Sequence, residues 1–144
     1  MVLGGTIMTE KNVLVFEPNQ MSKVLSPQDC LIHFKNIQRK QQECFAVILL
    51  DGANQVISTK VVTTGLINRT LVHPREIFRE AVKKNAFAVI IGHNHPSGNN
   101  NPSAEDHDIT KRLKSAGKII GINVVDHVII SKTGYYSFLE DGKL

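Results

Sequence analysis

The stretch Ala86-Phe87-Ala88-Val89-Ile90-Ile91 runs directly into Gly92-His93-Asn94-His95-Pro96-Ser97-Gly98. The first six residues are an apolar run with the length of a buried strand. Side chains two positions apart on a strand point to the same side, so we expect His93 and His95 to converge. Asp106 follows after ten intervening residues, at the start of a predicted helix. Two imidazoles and one carboxylate leave a tetrahedral zinc one open position for water, so the pattern predicts a catalytic metal site.

Each part of this pattern also has a simpler interpretation. A histidine in a loop is usually solvated. Ser103-x-x-Asp106 is close to a capping box, in which Ser103 caps the helix and Asp106 reaches back to its backbone N–H. The order of strand end, His-x-His-Pro, Gly/Asn/Pro loop and Ser-x-x-Asp helix start favours the metal site over a chance combination.

The same residues resemble a known family. His93-x-His95-Pro96 and Ser103-x-x-Asp106 are similar to the JAMM motif of JAB/MPN-domain zinc metallopeptidases. The RadC branch, historically described as a DNA repair protein, is resembled at three stretches: His73-Pro74-Arg75-Glu76-Ile77, His93 to Gly98, and Asp126-His127-Val128-Ile129-Ile130. The resemblance covers roughly residues 22–144.

The resemblance implies an α/β fold, namely a three-layer α/β/α sandwich with a mixed central sheet, as in cytidine deaminases. It implies zinc as the cofactor, with His93, His95 and Asp106 as its ligands. The implied reaction is hydrolysis of a peptide or isopeptide bond in a peptide or protein substrate.

Two further residues gain a catalytic role from the resemblance. In the family, an upstream glutamate at the start of a strand accepts and returns the proton of the attacking water, and the matching residue is Glu43. Its simpler interpretation is an exposed strand end. Ser103 caps the helix and, by resemblance, also bonds the attacking water or the developing oxyanion. We expect His73 and His127 to have structural or supporting roles, and Glu105, His107 and His33 to be surface or boundary residues.

Length and composition bound the class of protein. The 144 residues suffice for one domain, which we place at 22–144 after an N-terminal arm at 1–21. The stretch Val13–Phe16 is either an edge strand or part of a poorly ordered arm. No apolar run approaches the length of a membrane span, and no signal-peptide pattern is present. The only two cysteines, Cys30 and Cys44, have no Cys-x-x-Cys spacing. We therefore expect a reduced, cytoplasmic protein.

The remaining sequence predicts helices interleaved with strands, and hence a mixed sheet covered by helices. A first helix begins after Ser26 with Pro27 at its first position. Another, Pro74 to Lys84, turns Ile77, Phe78, Ala81 and Val82 inward, and the helix from Ser103 to about Ala116 has Gly117 as its stop. The expected strands are residues 43–50 and 55–64 as a hairpin, then 86–91, 123–131 and 135–139.

Other functions compete with the peptidase. A net charge of +4 permits a nucleic-acid partner, and the alternative function is a RadC-type accessory protein that binds nucleic acid or a repair partner, with weak or no hydrolase activity. We expect no basic cluster, because lysines and arginines are spread over several helices. A nucleobase deaminase is excluded, since it needs His-x-Glu followed by Pro-Cys-x-x-Cys. A catalytically silent scaffold is disfavoured because every ligand position is filled.

Ubiquitin is not the expected substrate. Deubiquitinating relatives usually have Ser or Thr where this chain has Asn94, and the 144 residues contain no long insertion to cradle ubiquitin. We also expect no counterpart of the helix-hairpin-helix segment of larger RadC-type proteins. No oligomeric state is predicted.

Overall fold

The computed structural model describes residues 6–8, 14–16, 23–65 and 72–144. Strands β1 (Thr6–Met8) and β2 (Leu14–Phe16) pair as an antiparallel ribbon. Leu14–Phe16 of the predicted apolar stretch is therefore a strand, and apart from β1 and β2 the predicted arm at 1–21 lies outside the described residues.

A five-stranded mixed sheet forms the centre of the fold. Its order is β4-β3-β5-β6-β7, in which only β5 and β6 run parallel. The strands are β3 (Cys44–Leu50), β4 (Val56–Thr64), β5 (Ala88–Asn94), β6 (Asn123–Ile130) and β7 (Tyr135–Ser137). The helices are a 3₁₀ helix (Pro27–Phe34), α1 (Lys35–Gln38), α2 (Pro74–Lys83) and α3 (Ala104–Ile120).

Each face of the sheet has its own apolar core, because successive side chains of a strand alternate between the two faces. On one face Phe45, Val47 and Leu49 of β3 pack with α2 and α3. On the other face Ala46 and Ile48 pack with Phe34 and with Ile37 of α1. The protein is thus a three-layer α/β/α sandwich, which confirms the predicted fold class.

Two local predictions are wrong. Gly117 does not end α3, which continues to Ile120. The helix ends at Gly121, whose φ of 88° lies in the left-handed region. A Cβ at position 117 would collide with the carbonyl oxygen of Ile122, so glycine there permits close packing of the chain that follows the helix. Val82 does not face the core as predicted but is 56% exposed. The buried side of α2 is formed by Ile77, Phe78 and Ala81 instead.

Among the described residues, no helix combines the length and the apolar character needed to cross a membrane.

Candidate metal centre

The end of β5 brings the two histidines together, as the strand spacing predicts. His93 lies on the face that packs against α2 and α3, and its side chain is 1% exposed. His95 follows the strand, where its N–H donates to the carbonyl of Ile130 at 2.8 Å. The two imidazole ring centroids lie 4.7 Å apart.

The first turn of α3 places Asp106 against both rings. Its Oδ2 lies 3.2 Å from Nε2 of His95, and its Oδ1 lies 3.4 Å from Nδ1 of His93. The same carboxylate accepts the N–H of Ser103 at 2.8 Å, and Oγ of Ser103 accepts the N–H of Asp106 at 3.1 Å. The capping box and the convergence on the histidines therefore coexist, and one residue takes part in both.

Glu43 reaches the same point from the neighbouring strand. β3 pairs antiparallel with β5 so that Phe45 is opposite His93, which sets Glu43 across from His95. Oε1 of Glu43 lies 3.3 Å from Nε2 of His93, and the side chain is 30% exposed. Potential ligand atoms of Glu43, His93 and His95 all lie within 4.8 Å of one another. Glu43 is therefore not simply a solvated strand end.

Asp106 and His95 each stabilise the charged form of the other. Burial alone would raise the pKa of Asp106, but the hydrogen bond from His95 and the charge of His93 outweigh burial and hold that pKa well below its usual range. The hydrogen bond to Asp106 raises the pKa of His95, against the effect of burial. Nδ1 of His95 also lies 2.7 Å from the carbonyl oxygen of Asn99. A carbonyl only accepts, so Nδ1 carries a proton and Nε2 faces the centre.

These donors fit a divalent cation such as zinc. Imidazole nitrogens and carboxylate oxygens are both common zinc ligands. Nδ1 of His93 is buried and makes no hydrogen bond to any described residue. The imidazole nitrogens of His93 and His95 lie 3.2 to 3.4 Å from carboxylate oxygens of Glu43 and Asp106. The two carboxylates supply negative charge where a cation would bind.

His127 contacts the centre indirectly, through Thr110 and the backbone of Asp106. Oγ1 of Thr110 donates to the carbonyl of Asp106 at 2.7 Å and accepts from Nδ1 of His127 at 2.5 Å. The His127 ring stacks on Phe138 at 4.7 Å and is fully buried. Burial, followed by the charge of His93, lowers the pKa of His127 to about 3, so the ring is neutral.

The other residues named from the sequence lie around this cluster. A cavity of about 430 Å³ opens at the surface and is lined by Glu43, His95, Pro96, Ser97 and Ser103. Ser103 is exposed at this opening, while His107 packs edge-on against Phe138 and His73 precedes α2. Glu105 is exposed and His33 is half-buried.

The sequence did not show the role of Asn94, whose side chain is completely buried and bonds the segment that carries Glu43. It also gave the wrong expectation for positive charge. A groove of about 340 Å³ beside α3 is lined by Lys111, Lys114, Lys118 and Lys143. The spacing of the first three along one helix face was the available signal.

Residues 24–143 match the family model described as the RadC-like JAB domain. The chain belongs to this family. Among similar proteins, a UPF0758 protein of Trichlorobacter lovleyi is 45% identical over 125 residues, which cover 86% of this chain and 54% of the relative. A UPF0758 protein of Thermotoga maritima is 51% identical over 104 residues, or 72% of this chain and 47% of the relative.

A third relative, the UPF0758 protein CLL_A0562 of Clostridium botulinum, is 42% identical over 133 residues, or 92% of this chain and 55% of the relative. This RadC-like JAB domain thus spans about half the length of the curated relatives it matches. Their names specify no activity.

Proposed function

We propose that this RadC-like JAB domain is a zinc-dependent metallopeptidase that hydrolyses a peptide or isopeptide bond. The observation that carries the proposal is the convergence of Glu43, His93, His95 and Asp106 beside one surface opening. His93, His95 and Asp106 would hold the metal, and Glu43 would act as the general base. When bound, zinc supplies a Lewis acid that polarises a carbonyl and acidifies water.

Glu43 is suited to proton transfer by its position. Its side chain is part-buried at the opening, within 3.3 Å of His93, and can face a water and a leaving nitrogen in turn. A carboxylate that accepts the proton of the attacking water and returns it to the departing amine contributes about 100- to 10,000-fold to the rate.

Ser103 and Asn99 each hydrogen-bond one of the residues that would hold the metal: Ser103 bonds Asp106, and Asn99 bonds His95. Oγ of Ser103 accepts the N–H of Asp106, which leaves the hydroxyl proton to bond a substrate oxygen as negative charge develops on it. The carbonyl of Asn99 holds the His95 ring with Nε2 towards the centre, the outer partner that metal-bound histidines usually have.

The test begins with elemental analysis of protein purified without added metal. We expect near-stoichiometric zinc in the wild type and its loss in His95→Ala. Cleavage is then screened on a proteome-derived peptide library with wild type, Glu43→Gln and the matched surface control Glu105→Gln. We expect Glu43→Gln to keep zinc and lose about 100- to 10,000-fold in turnover, and Glu105→Gln to match the wild type.

Three results would contradict these roles. Undiminished turnover in Glu43→Gln would remove it from the mechanism. Loss of zinc in that variant would make Glu43 a ligand. Zinc-loaded wild type that cleaves nothing in the screen would favour a silent scaffold or the accessory function.

The accessory function is the second candidate, and the lysine groove beside α3 is the observation that favours it. Labelled DNA should be titrated at several salt concentrations with the wild type and with the groove variant Lys111→Ala/Lys118→Ala. Lys83→Ala/Lys84→Ala is the matched control, because all four lysines are exposed. Weak binding that falls steeply with salt and drops equally in both variants is diffuse attraction. Tight binding lost only in the groove variant would support the accessory function.

The cytoplasmic location and the peptide or protein substrate stay predictions.

A further inference from the structure

We infer that Asn94, the residue between the two histidines, is a positioning residue that holds Glu43 at the metal centre. The inference rests on the proposed function, in which Glu43 is the general base. Asn94 itself does not face the centre. Neighbouring residues of a strand point to opposite faces, so His93 faces α2 and α3 while Asn94 faces the layer of α1.

The Asn94 side chain makes three hydrogen bonds, all to the segment around Glu43. Oδ1 accepts the N–H of Cys44 at 2.5 Å. Nδ2 donates to the carbonyl of Gln42 at 3.0 Å and to the carbonyl of Lys40 at 3.2 Å. The amide therefore binds the residues immediately before and after Glu43, and it is 0% exposed, so water does not compete for these bonds.

Glu43 needs such support because it lies just outside the regular ladder. β3 begins at Cys44, and residues 39–43 between α1 and β3 have no regular secondary structure. The carbonyl of Glu43 is held separately by the N–H of Gly65 at 2.8 Å. Asn94 therefore ties the backbone that carries the carboxylate to β5, and Gly65 ties it to the end of β4.

Only an amide meets all three contacts. Asparagine offers one acceptor oxygen and two N–H donors on a short side chain. Serine or threonine has a single donor, and an ionised aspartate has none. The His-Asn-His run thus has a division of roles: the two imidazoles face the cation site, and the amide between them fixes the base that serves it.

The test is a double-mutant cycle with the conservative Glu43→Gln. A displacement of about 1 Å in a catalytic group can lower the rate about 100-fold, so we expect Asn94→Ala to lose roughly that factor in kcat with little change in KM or zinc content. If Asn94 acts through Glu43, adding Asn94→Ala to Glu43→Gln should lower kcat by less than about threefold. Equal losses in both backgrounds would overturn the inference.

Gln38→Ala is the matched control. Gln38 also donates from a side-chain amide to a backbone carbonyl, that of Ser131 at 3.0 Å, but this bond is not made to the residues that flank Glu43. We expect this variant to lose stability without a change in kcat. A fall in kcat equal to that of Asn94→Ala would make the effect of Asn94 one of general destabilisation, against the inference.

A second readout needs no substrate. Hydrogen exchange of the Cys44 amide, followed by NMR in zinc-free and zinc-loaded protein, should quicken by on the order of tenfold in Asn94→Ala and stay unchanged in Gln38→Ala. Unchanged exchange in Asn94→Ala would overturn the inference whatever the activity. If the wild type cleaves nothing, the proposed function fails, while faster exchange still supports the hold on Glu43.

Should Asn94→Ala fail to fold, Asn94→Asp takes its place in the cycle. It keeps the shape and the acceptor for Cys44, but even when burial protonates its carboxyl group it has at most one donor for the two carbonyls, so we expect Cys44 to stay protected and kcat to fall. Unchanged kcat in a folded, zinc-loaded Asn94→Asp would count against the inference.

Discussion

Mild acid should destabilise the zinc-free protein through a single buried histidine, His127. Its side chain is 0% exposed, and burial, followed by the charge of His93, lowers its pKa from 6.5 to about 3. Between these values the unfolded chain binds a proton on this ring and the folded chain does not. The contribution of His127 to stability is therefore fully present above pH 6.5 and is lost progressively as pH falls.

The magnitude follows from the size of that window. One proton bound only by the unfolded state changes stability by about 1.4 kcal/mol per pH unit, so lowering the pH from 7.5 to 5 should cost about 2 kcal/mol. His95 acts in the opposite direction and offsets part of this cost, but it does so in the wild type and in every variant, so it cancels when they are compared. Its pKa is raised, so its stabilisation is complete below 6.5 and is lost only as pH rises through its folded-state value. Asp106, with a lowered pKa, loses its contribution only below about 3.8.

The assay is urea unfolding at pH 7.5 and pH 5, with a chelator present, of wild type, His127→Leu and the control His107→Gln. The Thr110 hydrogen bond is lost from His127→Leu at both pH values, so it cancels in the comparison. We expect the wild type and His107→Gln, in which only an exposed ring is replaced, to lose about 2 kcal/mol more than His127→Leu. The same loss in wild type and His127→Leu would refute the reasoning.

The other predictions concern the centre and the end of α3. Asp106→Asn should weaken zinc binding, measured by competition with a chelating dye, because a neutral amide is a poorer ligand than a carboxylate. The loss should exceed the roughly 10- to 100-fold seen when only a residue that hydrogen-bonds a ligand is removed. Ser103→Ala should keep zinc and lose about 1 kcal/mol in urea unfolding, because the N–H of Asp106 loses its cap; an unchanged midpoint would contradict this. Gly117→Ala should lose about 1–3 kcal/mol, since its Cβ would overlap the carbonyl of Ile122, whereas Gly52→Ala, with no atom within 4 Å, should unfold near the wild-type temperature.

Much of the fold could be predicted from the sequence because its signals are local. The uninterrupted apolar runs of β3 and β5 indicated strands buried on both faces, and every residue of both strands is buried. The two-residue spacing of His93 and His95 likewise fixed their common direction. Ser103 and Asp106 could be placed at a helix start by spacing alone.

The contributions of Glu43 and Asn94 could not be predicted in this way. Each depends on a partner about fifty positions away: Glu43 on His93, and Asn94 on Cys44. A polar residue in an apolar strand indicates that a partner must exist, but the partner's identity depends on the register between β3 and β5. Only the family resemblance pointed to Glu43, and nothing in the residues pointed to the contacts of Asn94.

The expectation about Gly117 failed for a related reason. Glycine after a run of helical residues is a common stop signal, yet here its missing side chain accommodates Ile122 and Phe78, which the helical pattern does not include. Tertiary packing outweighed the local preference.

The capping box at α3 has an evolutionary consequence. Oδ2 of Asp106 both accepts the N–H of Ser103 and faces Nε2 of His95. A descendant that had lost the proposed reaction would still gain stability from an acceptor at this position, because the acceptor caps the start of the helix. An acid at 106 is therefore a poor marker of retained activity in diverged relatives, whereas His95, which has no comparable part in starting the helix, should be among the first residues to drift.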